Sequence, residues 1–375
     1  MRYVGFAKRA AKALVAGALR YSGLQPILAR VSRRASGGRR VLIVAYHRVV
    51  EDFEREVQHC IPGLLLSRST FERHLGEIHR SGFDIVSLAQ ALEVIAGRHE
   101  PRRDVAVLTF DDGYRDVYDH AFPVLRRLGL PATVYLATGF VGTRERFAHD
   151  RLFHLIQLAR RLERGRRGRN VIAIGVLGES AAAEVDRQIS LCPARELWSL
   201  IERLEAALRG VDELKPSSGE ILDWDMVRTM ADAGFEIGAH SVHHVVLTHE
   251  SEQAIELEVG ESKRAIEDRV GRPVHAFAYP NGFYDQRVVA CLVRHGFATG
   301  VTTEDLPNRA GGDPFALRRK TLWEDFSRGP FGYSSALTSC HIDDLFAMLA
   351  PVRRGSGLRR RVESAFEGNF SLPSS

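Results

Sequence analysis

From residue 41 onward the chain alternates short apolar runs with helical stretches, and that alternation restricts its fold more than any other feature. Seven strand candidates read off in order: Val41–Ala45, Asp84–Val86, Ala106–Phe110, Thr133–Ala137, Glu236–Ala239, Ala276–Ala278 and Thr299–Thr302. They are rich in Val, Ile and Ala without strict polar alternation, which suits strands buried on both faces. Strand alternating with helix implies an α/β fold with a parallel sheet. Ser69-x-x-Glu72 and Ser87-x-x-Gln90 read as helix-starting capping boxes, and Gly82 and Gly129 as stops before the next strand.

Residues 145–219 interrupt the pattern with Arg-rich helical text, including Arg160-Arg161, Arg164–Arg169 and an amphipathic run from Glu196 to Leu208. They read as an insertion on one loop. From residue 326 the chain turns Gly/Ser/Arg-rich and reads as a tail. The expected organisation is therefore an arm (1–40), a catalytic-type domain (41–325) and a tail (326–375). Without arm, insertion and tail the body falls short of the ~250 residues typical of an eight-stranded α/β barrel, so a distorted seven-unit (β/α) barrel is expected.

A chain that is 26% charged and 45% hydrophobic is too polar for a bundle of membrane spans and too apolar for disorder. The net charge of +5 conceals a division: residues 1–40 hold ten Arg/Lys and no acid, while the rest hold 42 basic and 47 acidic side chains. An acidic body argues against a nucleic-acid clamp, and no nucleic-acid partner is expected. Cys60, Cys192, Cys291 and Cys340 are scattered, with no C-x-x-C pair for zinc or redox exchange.

In the arm, Val4, Phe6, Ala7, Ala11, Leu14, Val15, Leu19, Leu24 and Leu28 recur at roughly helical spacing among the basic residues. A basic amphipathic helix follows, suited to an anionic membrane surface; a disordered leader is the alternative. Its longest apolar run, Ala13–Leu19, has seven residues, against the ~20 that span a bilayer. No cleavage site follows it. The expected location is cytoplasmic or peripheral at the inner membrane face, rather than secreted.

Two strand ends carry candidate chemistry. Val107-Leu108-Thr109-Phe110 runs into Asp111-Asp112-Gly113, at the end of the barrel where active-site loops gather, although Asp-Asp-Gly is also ordinary turn chemistry. Ile237-Gly238-Ala239 runs into His240-Ser241-Val242-His243-His244. Two imidazoles four positions apart can meet one ion; His243 competes as a ligand, and His249 is close by. One carboxylate and two histidines, with a position left for water, form a catalytic coordination set. The second carboxylate then stays free to take a proton from the water that the ion activates.

These motifs resemble those of the polysaccharide deacetylases with the NodB-homology domain, carbohydrate esterase family 4. The resemblance implies that Asp111 is the catalytic base and that Asp112, His240 and His244 are metal ligands, with His243 in a variable slot. It implies a distorted seven-unit barrel, zinc as the default ion, and hydrolysis of N-acetyl groups on amino sugars of a polysaccharide or lipid-linked glycan. Tyr46-His47-Arg48-Val49 is similar to the Y-H-x-V opening of one branch, Phe277-Ala278-Tyr279-Pro280-Asn281-Gly282 to its third motif, and Leu317-Arg318-Arg319 to its closing L-x-R.

The sequence also departs from the family pattern. Ala278 stands where many members carry an arginine that orients the base, and Arg319 is the candidate to replace it from another strand. The family's leucine-x-histidine motif, whose histidine protonates the leaving amine, has no clear counterpart; His295 reads as a helix C-terminal residue. His47 is the other candidate functional histidine, for metal, substrate or proton. Tyr279, Pro280 and Asn281 are candidates for the substrate wall, with Tyr279 a candidate to stack on a sugar and its loop to supply a backbone N–H for the oxyanion. Other readings left open are a different amide substrate and a glycan-binding module without turnover.

Overall fold

The computed structural model describes residues 2–35, 39–163, 180–208 and 220–346. Arg164–Arg169 and the chain beyond 346 lie outside those residues. Eight strands form one sheet: β1 (Val41–Tyr46), β2 (Phe83–Ile85), β3 (Asp104–Phe110), β4 (Thr133–Leu136), β5 (Glu236–Ala239), β6 (Ala276–Ala278), β7 (Thr299–Val301) and β8 (Lys320–Thr321).

The order is β8-β1-β3-β4-β5-β6-β7, with β2 beside β3. Every pairing is parallel. Leu317 bridges Val301 in parallel just before β8 joins β1, so the segment 317–321 nearly closes the sheet into a barrel. β1 and β3 are buried at every position, which is why their sequences show no polar alternation.

β8 escaped the sequence reading because it has two residues, one of them a lysine. β3 begins two residues earlier than expected because Asp104 is buried against Arg40, whose Nε donates to it at 3.1 Å. The Ser87–Gln90 capping box is present in both halves. The preceding helix, Arg68–Arg80, is capped by Ser67 instead of Ser69: Ser67 has the extended backbone of a cap and its hydroxyl accepts from the Thr70 N–H.

In the insertion, helices Ala148–Glu163, Ala181–Leu191 and Ala194–Ala207 bury Leu152, Ile156, Val185, Ile201 and Leu204 in a second apolar cluster that also takes in Val246. The chain also stays folded past the expected boundary at 326, through residue 346. Helix Ser335–Ile342 is capped by Ser334, and Asp343 just beyond it accepts from Arg40 Nη2 at 3.2 Å. Its Gly/Ser-rich surroundings concealed the apolar side chains Ala336, Leu337 and Cys340, which pack against the N-terminal arm. The arm itself is two helices, Arg2–Tyr21 and Leu24–Ala35.

Candidate active site

The parallel strands deliver their C-terminal ends to one mouth. At the end of β3, Asp112 (φ 72°) and Gly113 (φ 81°) both turn left-handed. A continuing strand would send Asp111 and Asp112 to opposite faces, whereas this turn lets adjacent carboxylates share one cleft. Ser241 (φ 63°) and His244 (φ 54°) after β5, and Asn281 (φ 56°) after β6, take the same unfavourable region. Among the described residues the fifth such non-glycine is Asp344, so this backbone strain concentrates at the mouth.

Asp112, His240 and His244 converge there. Asp112 Oδ1 lies 3.4 Å from His240 Nε2 and 3.3 Å from His244 Nε2. The three ligand atoms lie within 4.8 Å of one another. His240 Nδ1 is 2.7 Å from the Ala278 carbonyl, which can only accept, so Nδ1 carries a proton and Nε2 is the nitrogen turned toward Asp112. Burial outweighs the attraction of Asp112 and holds the His244 pKa down at about 3, so this imidazole is neutral at pH 7. Asp112 Oδ1 is buried without a hydrogen-bond partner. An orphaned carboxylate oxygen facing two imidazole nitrogens fits a divalent cation.

His243 points elsewhere. Its Nδ1 lies 2.7 Å from Glu258 Oε1, and Glu258 Oε2 accepts from the N–H groups of Val242 and His243 at 2.8 Å each. That carboxylate pins the loop and removes His243 from the ligand set. His249 also lies outside it, with Nδ1 3.4 Å from the Cys192 carbonyl. His295 ends the helix Gln286–Arg294 and approaches Glu256 at 2.7 Å. Arg294 occupies the same Glu256 carboxylate at 2.8 Å, which makes that cluster a salt-bridged helix pair.

Asp111 is held from across the barrel. Arg319 Nη1 and Nη2 donate to its two oxygens at 2.7 Å each. Arg319 is 0% exposed, and its Nε donates to the Thr302 carbonyl at 2.8 Å. Ala278 leaves the third-motif position without a guanidinium, and Arg319 brings one to the carboxylate from beside β8. Burial alone would raise the Asp111 pKa; the Arg319 and His240 charges outweigh it and hold it below the usual carboxylate range. His47 Nε2 stands 4.0 Å from Asp111 Oδ2. Burial lowers the His47 pKa despite the two aspartates.

His47, Asp111, Asp112, His240 and His244 line a cleft open to solvent, together with Tyr279 and Asn281. The Tyr279 ring is not available to stack on a sugar: it is fully buried, stacks on Tyr284 at 4.9 Å, and its hydroxyl donates to the Phe315 carbonyl. Its N–H goes to the Val301 carbonyl at 3.1 Å. Pro280 is buried behind the turn and is absent from the cleft lining.

Sequence reasoning missed two groups. His149, in the cleft, sits with its ring 5.2 Å from that of His244. Tyr114 ties it in place, donating to Asp150 at 2.7 Å and meeting His149 Nε2 at 2.9 Å. Ala182, Val185, Asp186 and Ile189 of the insertion also line the cleft, as do Ile61 and Leu64. The insertion residues stand at i, i+3, i+4 and i+7 on one helix face, and nothing in the sequence tells what that face meets.

A family model described as Polysaccharide deacetylase matches residues 98–300, a span holding Asp111, Asp112, His240 and His244. The Bacillus subtilis (strain 168) protein YxkH, which carries a polysaccharide deacetylase name, is 21% identical over 271 residues, 72% of this chain and 70% of that one. IcaB from Ammonifex degensii aligns with a TM-score of 0.54 at 19% identity, over 82% of this chain and 98% of that one. The Streptococcus pyogenes deacetylase PplD, solved in complex with acetate, aligns with a TM-score of 0.52 at 18% identity, over 83% and 99%. The two structures share the fold, and the family match covers more than half of the sequence. On that match the chain belongs to the polysaccharide deacetylase family, the NodB-homology hydrolases of carbohydrate esterase family 4.

Proposed function

We propose that this protein hydrolyses the N-acetyl group of amino sugars in a polysaccharide or lipid-linked glycan, with Asp112, His240 and His244 holding a zinc ion and Asp111 acting as base. The convergence of the three ligand atoms beside a separate carboxylate carries the reading. Metal dependence is general among deacetylases of this family. Two nitrogens and one oxygen leave a fourth tetrahedral position open, the pattern of a catalytic zinc site. When bound, the cation supplies Lewis acidity that lowers the pKa of a water and polarises the acetyl carbonyl.

This chain's own residues do the rest. Asp111, kept ionised by Arg319, takes the proton released as the water oxygen bonds to the acetyl carbon. Arg319 fixes the carboxylate plane and is a positioning residue. Tyr279 has no N–H to offer the developing oxyanion and Pro280 has none at all; the next N–H along the turn belongs to Asn281, which lines the cleft. His47, 4.0 Å from Asp111, is placed to pass the proton to the departing nitrogen as the C–N bond breaks. The products are acetate and a free amine.

The test is Asp111→Asn assayed for acetate release from N-acetylglucosamine oligomers. Metal content should stay that of the wild type while turnover falls by ~10²–10⁴; unchanged turnover rejects the assignment. The apolar wall of Ile61, Leu64, Val185 and Ile189 favours a second substrate reading, an amino sugar joined to an apolar group. Comparing acetate release from soluble oligomers with release from a lipid-linked N-acetylamino sugar separates the two.

A further inference from the structure

The two N-terminal helices are each apolar on two sides. One side packs inward: Ala13, Ala16, Leu19 and Leu28 join Leu337 and Cys340 of helix Ser335–Ile342. Arg20 secures that seat, donating to Glu77 at 3.3 Å and Ser339 at 3.0 Å. The other side faces water. Leu14 is 74% exposed, Tyr21 88%, Ile27 57% and Val31 52%, with Val15 and Leu24 about half exposed.

The outward residues are not scattered. Positions 11, 14, 15, 18 and 21 follow one helical face of Arg2–Tyr21, and 24, 27 and 31 follow one face of Leu24–Ala35. A stripe of large apolar side chains left in water marks an interaction surface. Its charge identifies the partner. Residues 1–40 contain ten Arg/Lys and no acid; Arg30 is exposed, and so is Lys12, which also reaches over the Phe346 ring at 5.6 Å. No described helix is long and apolar enough to cross a membrane. Apolar side chains that cannot span, in a segment with basic and no acidic residues, match the interface of an anionic lipid bilayer.

We propose that these two helices dock the protein on an anionic membrane surface, inserting Leu14, Val15, Tyr21, Leu24, Ile27 and Val31 among the acyl chains while the flanking cations meet the headgroups. The docking surface is separate from the cleft. The helix that seats it ends at Asp343, which Arg40 ties to Asp104 at the start of β3, the strand end opposite the catalytic mouth.

The experiment is vesicle co-sedimentation of the full chain with phosphatidylcholine alone and with phosphatidylglycerol added, for the wild type, Leu14→Glu/Ile27→Glu and Lys12→Gln/Arg30→Gln. Circular dichroism and thermal melting check that each variant folds. The wild type should bind the anionic vesicles in a salt-sensitive way. The apolar double variant should bind them about tenfold more weakly or worse, and the Lys12/Arg30 variant should lose part of the preference for phosphatidylglycerol while keeping its fold. Three results overturn the proposal: no vesicle binding by the wild type, equal binding to neutral and anionic vesicles, or undiminished binding by both variants. A dimer in light scattering that Leu14→Glu/Ile27→Glu dissolves would assign the face to a second copy and also overturn it.

Discussion

Arg319 gives one N–H to each oxygen of Asp111, at 2.7 Å twice, across 208 positions of sequence. Such a fork fixes the plane of a carboxylate as a point charge cannot. Arg319→Lys should therefore fold and bind metal yet lose about a hundredfold in kcat, because the base is no longer held in one orientation. Arg319→Met removes the charge that opposes burial of Asp111, so the Asp111 pKa rises and the acid limb of the pH–rate profile moves to higher pH. The same variant leaves a buried carboxylate uncompensated and should lose about 3–5 kcal/mol of stability in urea titration. An acid limb that stays in place would show that Asp111 is not the group being read.

Removing metal should separate the two aspartates. Treatment with a chelator is expected to abolish acetate release, and added zinc to restore it. Asp112→Asn and His244→Ala should lower the metal found per chain, measured by elemental analysis, whereas Asp111→Asn should not. Equal metal content in Asp112→Asn and wild type would exclude Asp112 as a ligand.

The strand ends were legible in the sequence because burial on both faces leaves an unmixed apolar run, and the polar residues that follow such a run stand out. Asp111, Asp112, His240 and His244 were found that way, and the structure brings them together. Arg319 was legible only as a candidate, since its neighbours Leu317 and Lys320 form ladder contacts too short to read as a strand. His149 and the wall of the insertion were not legible at all. Their meaning depends on which face of a loop-borne helix turns toward the cleft, a tertiary fact with no local signature. Helix Ser335–Ile342 was hidden by the Gly- and Ser-rich text around it, although burial of Leu337 and Cys340 against the arm holds it in place.

The insertion wall makes its own prediction. Val185 and Ile189 face the cleft one helical turn apart, and neither is within the metal triad. Val185→Ser and Ile189→Ser should raise KM for the preferred glycan several-fold with kcat little changed, the pattern of lost binding that is equal in ground and transition states. A fall in kcat with unchanged KM would mean that the wall acts on the chemistry. The comparison is cleanest between substrates with and without an apolar group on the reducing end, because only the former should be sensitive.

His74 should give the fold an acid-sensitive step remote from the cleft. It is fully buried, with Nε2 2.6 Å from Ser327 Oγ, and burial pushes its imidazole down to about 3 from an ordinary 6.5. Between those values the unfolded chain binds a proton that the folded chain refuses. The contribution of neutral His74 to stability is therefore complete above pH 6.5 and is lost as pH falls toward 3, at up to about 1.4 kcal/mol per pH unit. His341, also held down to about 3 by burial, adds a second step of the same sign. His74→Gln keeps a hydrogen-bonding group for Ser327 and removes the titration. Urea unfolding at pH 7 and at pH 5 should show a smaller loss of stability for this variant than for the wild type, by close to one proton's slope. An identical loss in both proteins would show that His74 takes up its proton without unfolding.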